Sequence, residues 1–204
     1  MRQALPIFAT HFGPQDEHTL GVWRVLQELG GSGPQPGNLR MYLYNVQAPG
    51  QTRMQALASF TRPEEAKTIG LLPETILGEV VDPENRDPTR FRTNHAFMVF
   101  LHRVIGSAVP NCPWLRYQAS KLGNGNLPIV DQRAFLREVA SGPEDVIGEC
   151  EVRDGYLVGY RWSPSYRVFT GNGFIQLDPW FECQLIDAFQ ELFRSGAKQT
   201  GTVA

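Results

Sequence analysis

The segment Lys121–Arg133, "KLGNGNLPIVDQR", gathers residue types that could do chemistry. Gly123-Asn124-Gly125 could lend backbone N–H groups to a phosphate, with Asp131 and Arg133 nearby to hold a proton and an anion. The competing reading is a tight turn feeding a strand. A phosphate cradle needs its glycines at a strand-to-helix turn, where free N–H groups sit at the helix N-terminus. Here the glycines precede the strand, and neither GxGxxG nor GxxxxGK[ST] occurs in the chain. The order therefore favours the turn. An echo supports it: "GNGFIQLD" repeats Gly-Asn-Gly, a short apolar run and an Asp at 171–178. By that analogy Asp131 caps a helix over "QRAFLREVA", as Asp178 caps the one after it. Pro128, which has no N–H to donate, confines the strand between to a sheet edge. Arg133 then stands in a first helical turn, where a cation opposes the helix dipole and calls for an acid or an anionic ligand.

The other reactive side chains form no established constellation. His95 and His102 are seven residues apart on one helical face with Met98 and Val99. Ligands on one helix converge at spacings of three or four, as in HExxH. The expectation is two buried histidines and no metal site, and nothing brings His11 or His18 to them. No GxSxG or SxxK is present, and Ser32 reads as a loop serine. Cys112, Cys150 and Cys183 are odd in number and lack a CxxC, which points to reduced thiols and a cytoplasmic protein. No cofactor is called for. An enzyme on this chain would be a small hydrolase or transferase using Asp131, Arg133 and either His95 or His102.

Against that stands a surface. "YLVGYRWSPSYRVF" alternates Tyr156, Val158, Tyr160 and Trp162 on one strand face with Leu157 and Arg161 on the other. Trp162, Tyr166 and Arg167 flank the "SPS" turn. Tyr, Trp and Arg are the residues that dominate binding interfaces. They also stack on unpaired bases. With 19 basic and 21 acidic residues the net charge is −2, which gives no bulk attraction to nucleic acid or to an acidic membrane. Arg86, Arg90, Arg92 and Arg103 are interleaved with Asp82, Glu84 and Asp87, the pattern of a solvated mixed-charge loop. The leading reading is a non-enzymatic binding or accessory protein whose partner is another protein. Trp162, Tyr166, Arg167 and Arg161 would be its contact residues. A single-stranded nucleic-acid binder is the third reading.

The elements that must position these residues follow from pattern. "LPIFATHF" reads as a strand, and 18–31 as a helix with Val22, Val25, Leu26 and Leu29 on its stripe. The runs at 38–46 and 52–60 make a hairpin about Pro49-Gly50. Thr61 and Glu64 have capping-box spacing for a short helix, and "ETILGEVV" is a further strand. Ala96–Ile105 is apolar nearly all round, as a central buried helix would be. "CPWLRYQASKLG" is a helix entered at Pro113 and left at Gly123. Four β-prone runs between 145 and 177 are separated by Asp154-Gly155, "SPS" and Asn172-Gly173, and Asp-Gly and Asn-Gly are hairpin signals because both central residues of such a turn need positive φ. Asp178 and Pro179 then start a helix that Gly196 ends. The expected fold is α+β: an N-terminal helix and β-hairpin, a central buried helix, and a four-stranded antiparallel meander closed by a C-terminal helix. Residues 1–196 would be one domain and 197–204 a flexible tail. Apart from the Gly-Asn-Gly echo, no internal repeat stands out. No run of about 18 apolar residues offers a membrane span, and the N-terminus is not a signal peptide.

Overall fold

A computed structural model describes residues 9–12, 39–47, 54–82, 87–133 and 140–200. It is a mixed α+β structure with antiparallel sheets. The strands are β1 (Ala9–Phe12), β2 (Met41–Gln47), β3 (Met54–Ser59), β4 (Ile76–Val80), β5 (Phe91–Thr93), β6 (Gly125–Val130), β7 (Val146–Arg153), β8 (Tyr156–Trp162), β9 (Phe169–Thr170) and β10 (Gly173–Phe174). The α-helices among the described residues are α1 (Pro63–Ile69), α2 (His95–Ala108), α3 (Pro113–Leu122) and α4 (Pro179–Thr200).

The chain divides into two compact units, one of residues 1–15, 38–100 and 186–204, the other of 16–37 and 101–185. The first holds a five-stranded sheet in the order β1-β2-β3-β4-β5. Its core is aromatic: Phe60 lies 5.9 Å from both Phe97 and Phe189, and Phe100 stacks on Phe189 at 5.3 Å. Beside it the hydroxyls of Ser59, Thr61 and Thr75 bond one another out of reach of solvent. The second unit holds the sheet β6-β7-β8 and the small hairpin β9-β10. Leu101, Ile105, Leu115, Cys150, Val152, Val168, Phe181 and Leu185 are buried there.

Several expectations hold. β2 and β3 pair over six positions. β6, which carries Pro128, is an edge of its sheet among the described residues. Asp178 Oδ1 accepts the Trp180 N–H at 2.9 Å and caps α4. Others are corrected. The four-stranded meander is not formed: β9 and β10 are two residues each and pair only with each other among the described residues, while β7 pairs with β6 on one side and β8 on the other. The reason is that the chain between β8 and β9 is held by a buried charge cluster described below, not by a ladder. Thr170 pairs with Gly173, so Gly171-Asn172 forms that turn and only Gly173 takes positive φ. The capping box falls one residue later than expected, with the Arg62 N–H donating to Glu65 Oε2 at 2.9 Å, because Thr61 is drawn into the hydroxyl cluster. Helix α2 is amphipathic, with Val99 and Arg103 exposed, and α4 runs past Gly196 to Thr200. The helix expected at 18–31 and the turn at Pro49-Gly50 lie outside the described residues, as do 201–204.

The units share a repeat that the Gly-Asn-Gly echo does not mark. In each, a strand (β3 or β6) leads through a segment to a single 3-10 turn, "PET" at Pro73–Thr75 or "PED" at Pro143–Asp145. The next strand opens with closely similar residues, "ILGEV" or "VIGEC". Each strand pair carries a register shift one step before its end, at Ala58/Ser59 and at Ile129/Val130. Phe60 N–H donates to Thr75 O at 3.0 Å as Asp131 N–H donates to Asp145 O at 2.8 Å. Glu79 pairs with Arg92 at 3.2 Å as Glu149 pairs with Arg161 at 2.9 Å. Asn94 N–H donates to Leu77 O as Ser163 N–H donates to Ile147 O. In both, a glycine lies beneath an aromatic ring of the neighbouring strand: Gly78 under Phe91, Gly148 under Tyr160.

That last feature is directly testable. A Cβ on Gly148 would stand 2.5 Å from the Tyr160 ring and 2.7 Å from Arg161 O, and one on Gly78 would meet the Phe91 ring at 2.6 Å. Overpacking of this kind costs roughly 1–3 kcal/mol. Gly78→Ala and Gly148→Ala should each lower the unfolding free energy in urea titrations by that margin. Gly171→Ala, where a Cβ meets nothing within 4 Å, should stay within about 0.5 kcal/mol of wild type.

Candidate functional site

Asp131 and Arg133 do come together, in the most enclosed polar cluster of the second unit. Asp131 is 0% and Arg133 1% exposed. The cap bond expected of Asp131 is made, with the Arg133 N–H donating to its Oδ1 at 3.0 Å, and residues 134–139 of the helix expected after it lie outside the described residues. The same oxygen accepts the Gln176 N–H at 3.0 Å, and Oδ2 accepts the Tyr166 hydroxyl at 2.8 Å. The guanidinium answers the question of its partner. Its Nε donates to Asp145 Oδ1 at 2.7 Å, and Nη2 donates to the carbonyls of Glu144 at 2.9 Å and Arg167 at 2.6 Å. Nη1 stands 3.6 Å from Asp131 Oδ2, and the Tyr166 ring packs 5.5 Å from the guanidinium carbon. The Asp145 carboxylate closes the circle through Oδ2, which accepts the Gly142 N–H at 3.2 Å.

Chemically this is a clasp. One cation lies between two carboxylates, and hydrogen bonds take up the polar atoms of all three. A reacting atom has no approach to groups enclosed this completely. What the cluster joins is chain: the loop at 142–145, the segment 166–167 and the strand end at 173–176. Burial pushes the Asp131 carboxyl up to about 6, against the opposing pull of Arg133, of the Arg133 and Gln176 N–H groups and of the Tyr166 hydroxyl. Burial and the adjacent Asp131 raise Tyr166 well above the ordinary phenol range. Tyr166, read from sequence as a surface anchor, is instead a buried member of the clasp. Arg167 joins through its carbonyl while its side chain is exposed.

The histidines separate. His95 is exposed at the start of α2, contrary to the expectation of burial. His102 is buried, and its Nδ1 shares a 2.8 Å hydrogen bond with the Tyr160 hydroxyl. Its ring meets Trp162 edge-on at 4.8 Å. Nε2 is buried with no hydrogen-bond partner among the described residues. Desolvation holds this imidazole down to about 4, so it is neutral at neutral pH. No group of three or more metal-binding side chains occurs among the described residues.

The opening Gly-Asn-Gly has a different partner from the one its composition suggests. Gly123 ends α3 with φ 73°, and its carbonyl accepts the Gly155 N–H at 2.7 Å. Asn124 Oδ1 accepts the Asp154 N–H at 3.1 Å. Asp154 and Gly155 both have positive φ, 49° and 80°, as a two-residue hairpin turn requires. The segment therefore grips the tip of the β7–β8 hairpin. Along β8 a register shift lets Leu157 pair with Val152 while Tyr160 pairs with Cys150. Leu157 and Tyr160 thus share a sheet face, not opposite ones as strict alternation predicts. Tyr156 is 73% exposed and Trp162 46%, and Arg161 reaches solvent beside Glu149. The chain matches no family model and no curated protein, and its fold matches no solved structure.

Two outcomes follow from the buried groups. Arg133→Ala leaves two carboxylates in the core without their cation and should cost about 3–5 kcal/mol in chemical denaturation. The pH dependence has opposing parts. Asp131 holds its proton more tightly folded than unfolded, so its stabilisation is full below about 4 and is lost as pH rises through about 6. His102 behaves inversely, contributing above its unfolded value and losing that contribution as pH falls toward about 4. Between pH 4 and 6 the two should largely cancel in the wild type. Asp131→Asn should make stability fall more steeply with acid, and His102→Gln should make it fall less or rise. Parallel urea titrations at five pH values check both signs.

Proposed function

We propose that this protein is a binding module that recognises another protein through the aromatic surface of β8 and α3. One observation carries the reading. Eight large apolar side chains are exposed among the described residues, and six of them, Trp114, Tyr117, Leu122, Tyr156, Val158 and Trp162, belong to these two elements. A folded chain can expose scattered apolar side chains at little cost. Concentration on two adjoining elements is the mark of an interaction site, here with Trp162 beside Tyr160 on the inner face of β8 and Tyr156 on the outer one. The repeat acts as an internal control. In the first unit β4 and β5 pair over three positions, whereas β7 and β8 pair over six and reach out to Asp154-Gly155. The shared frame forms without the added length, and the added length is what exposes Tyr156 and Val158.

The rest of the surface favours protein over nucleic acid. Glu149 and Glu151 alternate with Arg153 and Arg161 on the outer face, in ion pairs. A phosphate backbone would meet carboxylates at every second step. The enzyme reading loses its best support, since Asp131 and Arg133 are committed to the clasp. No helix among the described residues is long and apolar enough to cross a membrane.

The test is a paired substitution. Tyr117→Ser and Tyr156→Ser alter two of the most exposed aromatic residues, so the melting temperature should shift by no more than a few degrees. Loss of an interface anchor of this kind costs about 2 kcal/mol or more of binding. Partners captured by wild type from cells of the native host, and identified by mass spectrometry, should be lost with the double variant. Binding should change little between 50 and 300 mM salt, unlike a phosphate-mediated contact. Unchanged capture would sink the surface.

A further inference from the structure

We infer that the partner binds as an extended strand added to the free edge of β8, and that it carries an acidic residue between two apolar ones. This rests on the reading of β8 and α3 as the recognition surface and names the mode and chemistry of the occupant.

Among the described residues β8 pairs only with β7 and is a sheet edge. Which backbone groups face outward is fixed by one bond. The Ser163 N–H donates to Ile147 O, and the register sets Trp162 opposite Gly148 and Arg161 opposite Glu149. In an antiparallel ladder, residues exchanging hydrogen bonds alternate with residues that do not. Ser163 and Arg161 therefore turn their N–H and C=O toward β7, and Tyr160 and Trp162 turn theirs away. Such a row of unsatisfied groups is a template for another strand, and proteins commonly blunt it with proline, lysine or a very short edge. β6 has Pro128. β5, the counterpart of β8 in the repeat, has three residues, and the N–H of its Phe91 is already donated to Pro88 O. β8 has seven residues, "YLVGYRW", with neither proline nor lysine.

The same register dictates side chains. Residues directly opposite Tyr160 and Trp162 on an added strand project to the face those two share, where the neighbours are the Trp162 ring and the aromatic cover of Gly148. They should be apolar. The residue between them projects to the other face, beside Arg161, whose exposed guanidinium holds Glu149 at 2.9 Å through Nη2 and has further N–H groups to offer, and should be Asp or Glu. A second copy of this chain fits less well, because β8 itself contains no carboxylate to set beside Arg161. The occupant is thus a strand of a different protein with an apolar–acidic–apolar triplet, the mode in which main-chain bonds give affinity and alternate side chains give specificity.

The probe is a displayed library of ten-residue peptides randomised at every position and selected on the intact protein. Enriched peptides should share the triplet. The most enriched one, made synthetically, should slow amide hydrogen exchange at Tyr160 and Trp162, and a version with Lys for the acidic residue should bind at least tenfold more weakly. Arg161→Glu should reverse that preference. Peptides lacking the triplet, no enrichment, or binding that leaves both amides unprotected would each overturn the inference. So would protection of both amides in the free protein together with a dimer mass by light scattering, since the occupant would then be a second copy. Failure here is separable from failure of the surface. If the Tyr117 and Tyr156 substitutions abolish partner capture while the two amides stay unprotected, the surface stands and strand addition falls.

Discussion

The second unit depends on a single cation placed where water cannot reach it. A guanidinium stripped of its hydration is tolerable only if opposite charge and hydrogen-bond acceptors replace the lost water. Arg133 meets that demand with Asp145, Asp131 and backbone carbonyls of Glu144 and Arg167. The acceptors lie on three stretches of chain, at 131, 144–145 and 167, so satisfying the charge fixes those stretches relative to one another. This is why residues 163–168 leave the sheet after β8, and why β9 and β10 form an isolated hairpin. The cluster carries one more negative group than positive. Burial raises the carboxyl of Asp131, against the pull of Arg133 and of its hydrogen-bond donors.

The repeat shows what is general and what is particular. Both units use a 3-10 turn, a glycine beneath an aromatic ring, and a Glu–Arg pair on the outer sheet face. Their polar centres differ. Where the second unit has Asp131 and Asp145, the first has Phe60 and Thr75, and its buried polar atoms are neutral hydroxyls. The hydroxyls satisfy one another and backbone carbonyls, Ser59 donating to Thr75 O and Tyr44 to Thr61 O, across at most 17 positions. Charges recruit backbone from a distance in sequence, as the Arg133 bond to Arg167 O does across 34 positions. The unit with the charged centre is also the one with the extended hairpin. Its turn is pinned at Gly123 and Asn124, and its base at Ser163.

Much of the local structure was legible in residue types. Asp178 before Pro179 marks a helix start because the side chain can accept an N–H that the helix leaves free. Asp154-Gly155 marks a hairpin because both residues tolerate positive φ. Pro128 marks an edge because it lacks a donor. Asp131 as a cap, and Arg133 as a cation in want of a partner, were also readable from the pattern. Each of these concerns atoms within a few residues of one another, where backbone geometry alone decides the outcome.

What pattern could not supply was the identity of partners distant along the chain. That Arg133 takes Asp145, that Tyr166 turns inward to Asp131, and that Gly-Asn-Gly grips a hairpin some 30 residues onward depend on how the sheet returns the chain to itself. The register shift at Glu151/Val152 likewise sends Leu157 to the face of Tyr160, against the alternation of the letters. The repeat escaped notice for the same reason. Its few shared residues are spread along the chain, and only the matching ladder and hydrogen bonds make them coincide. By itself the sequence determined the turns, the caps, the edge and the residue types available for chemistry, because those are settled by local sterics. The tertiary structure alone decided which of them are sealed in the core and which meet solvent, because burial and pairing are properties of the closed fold.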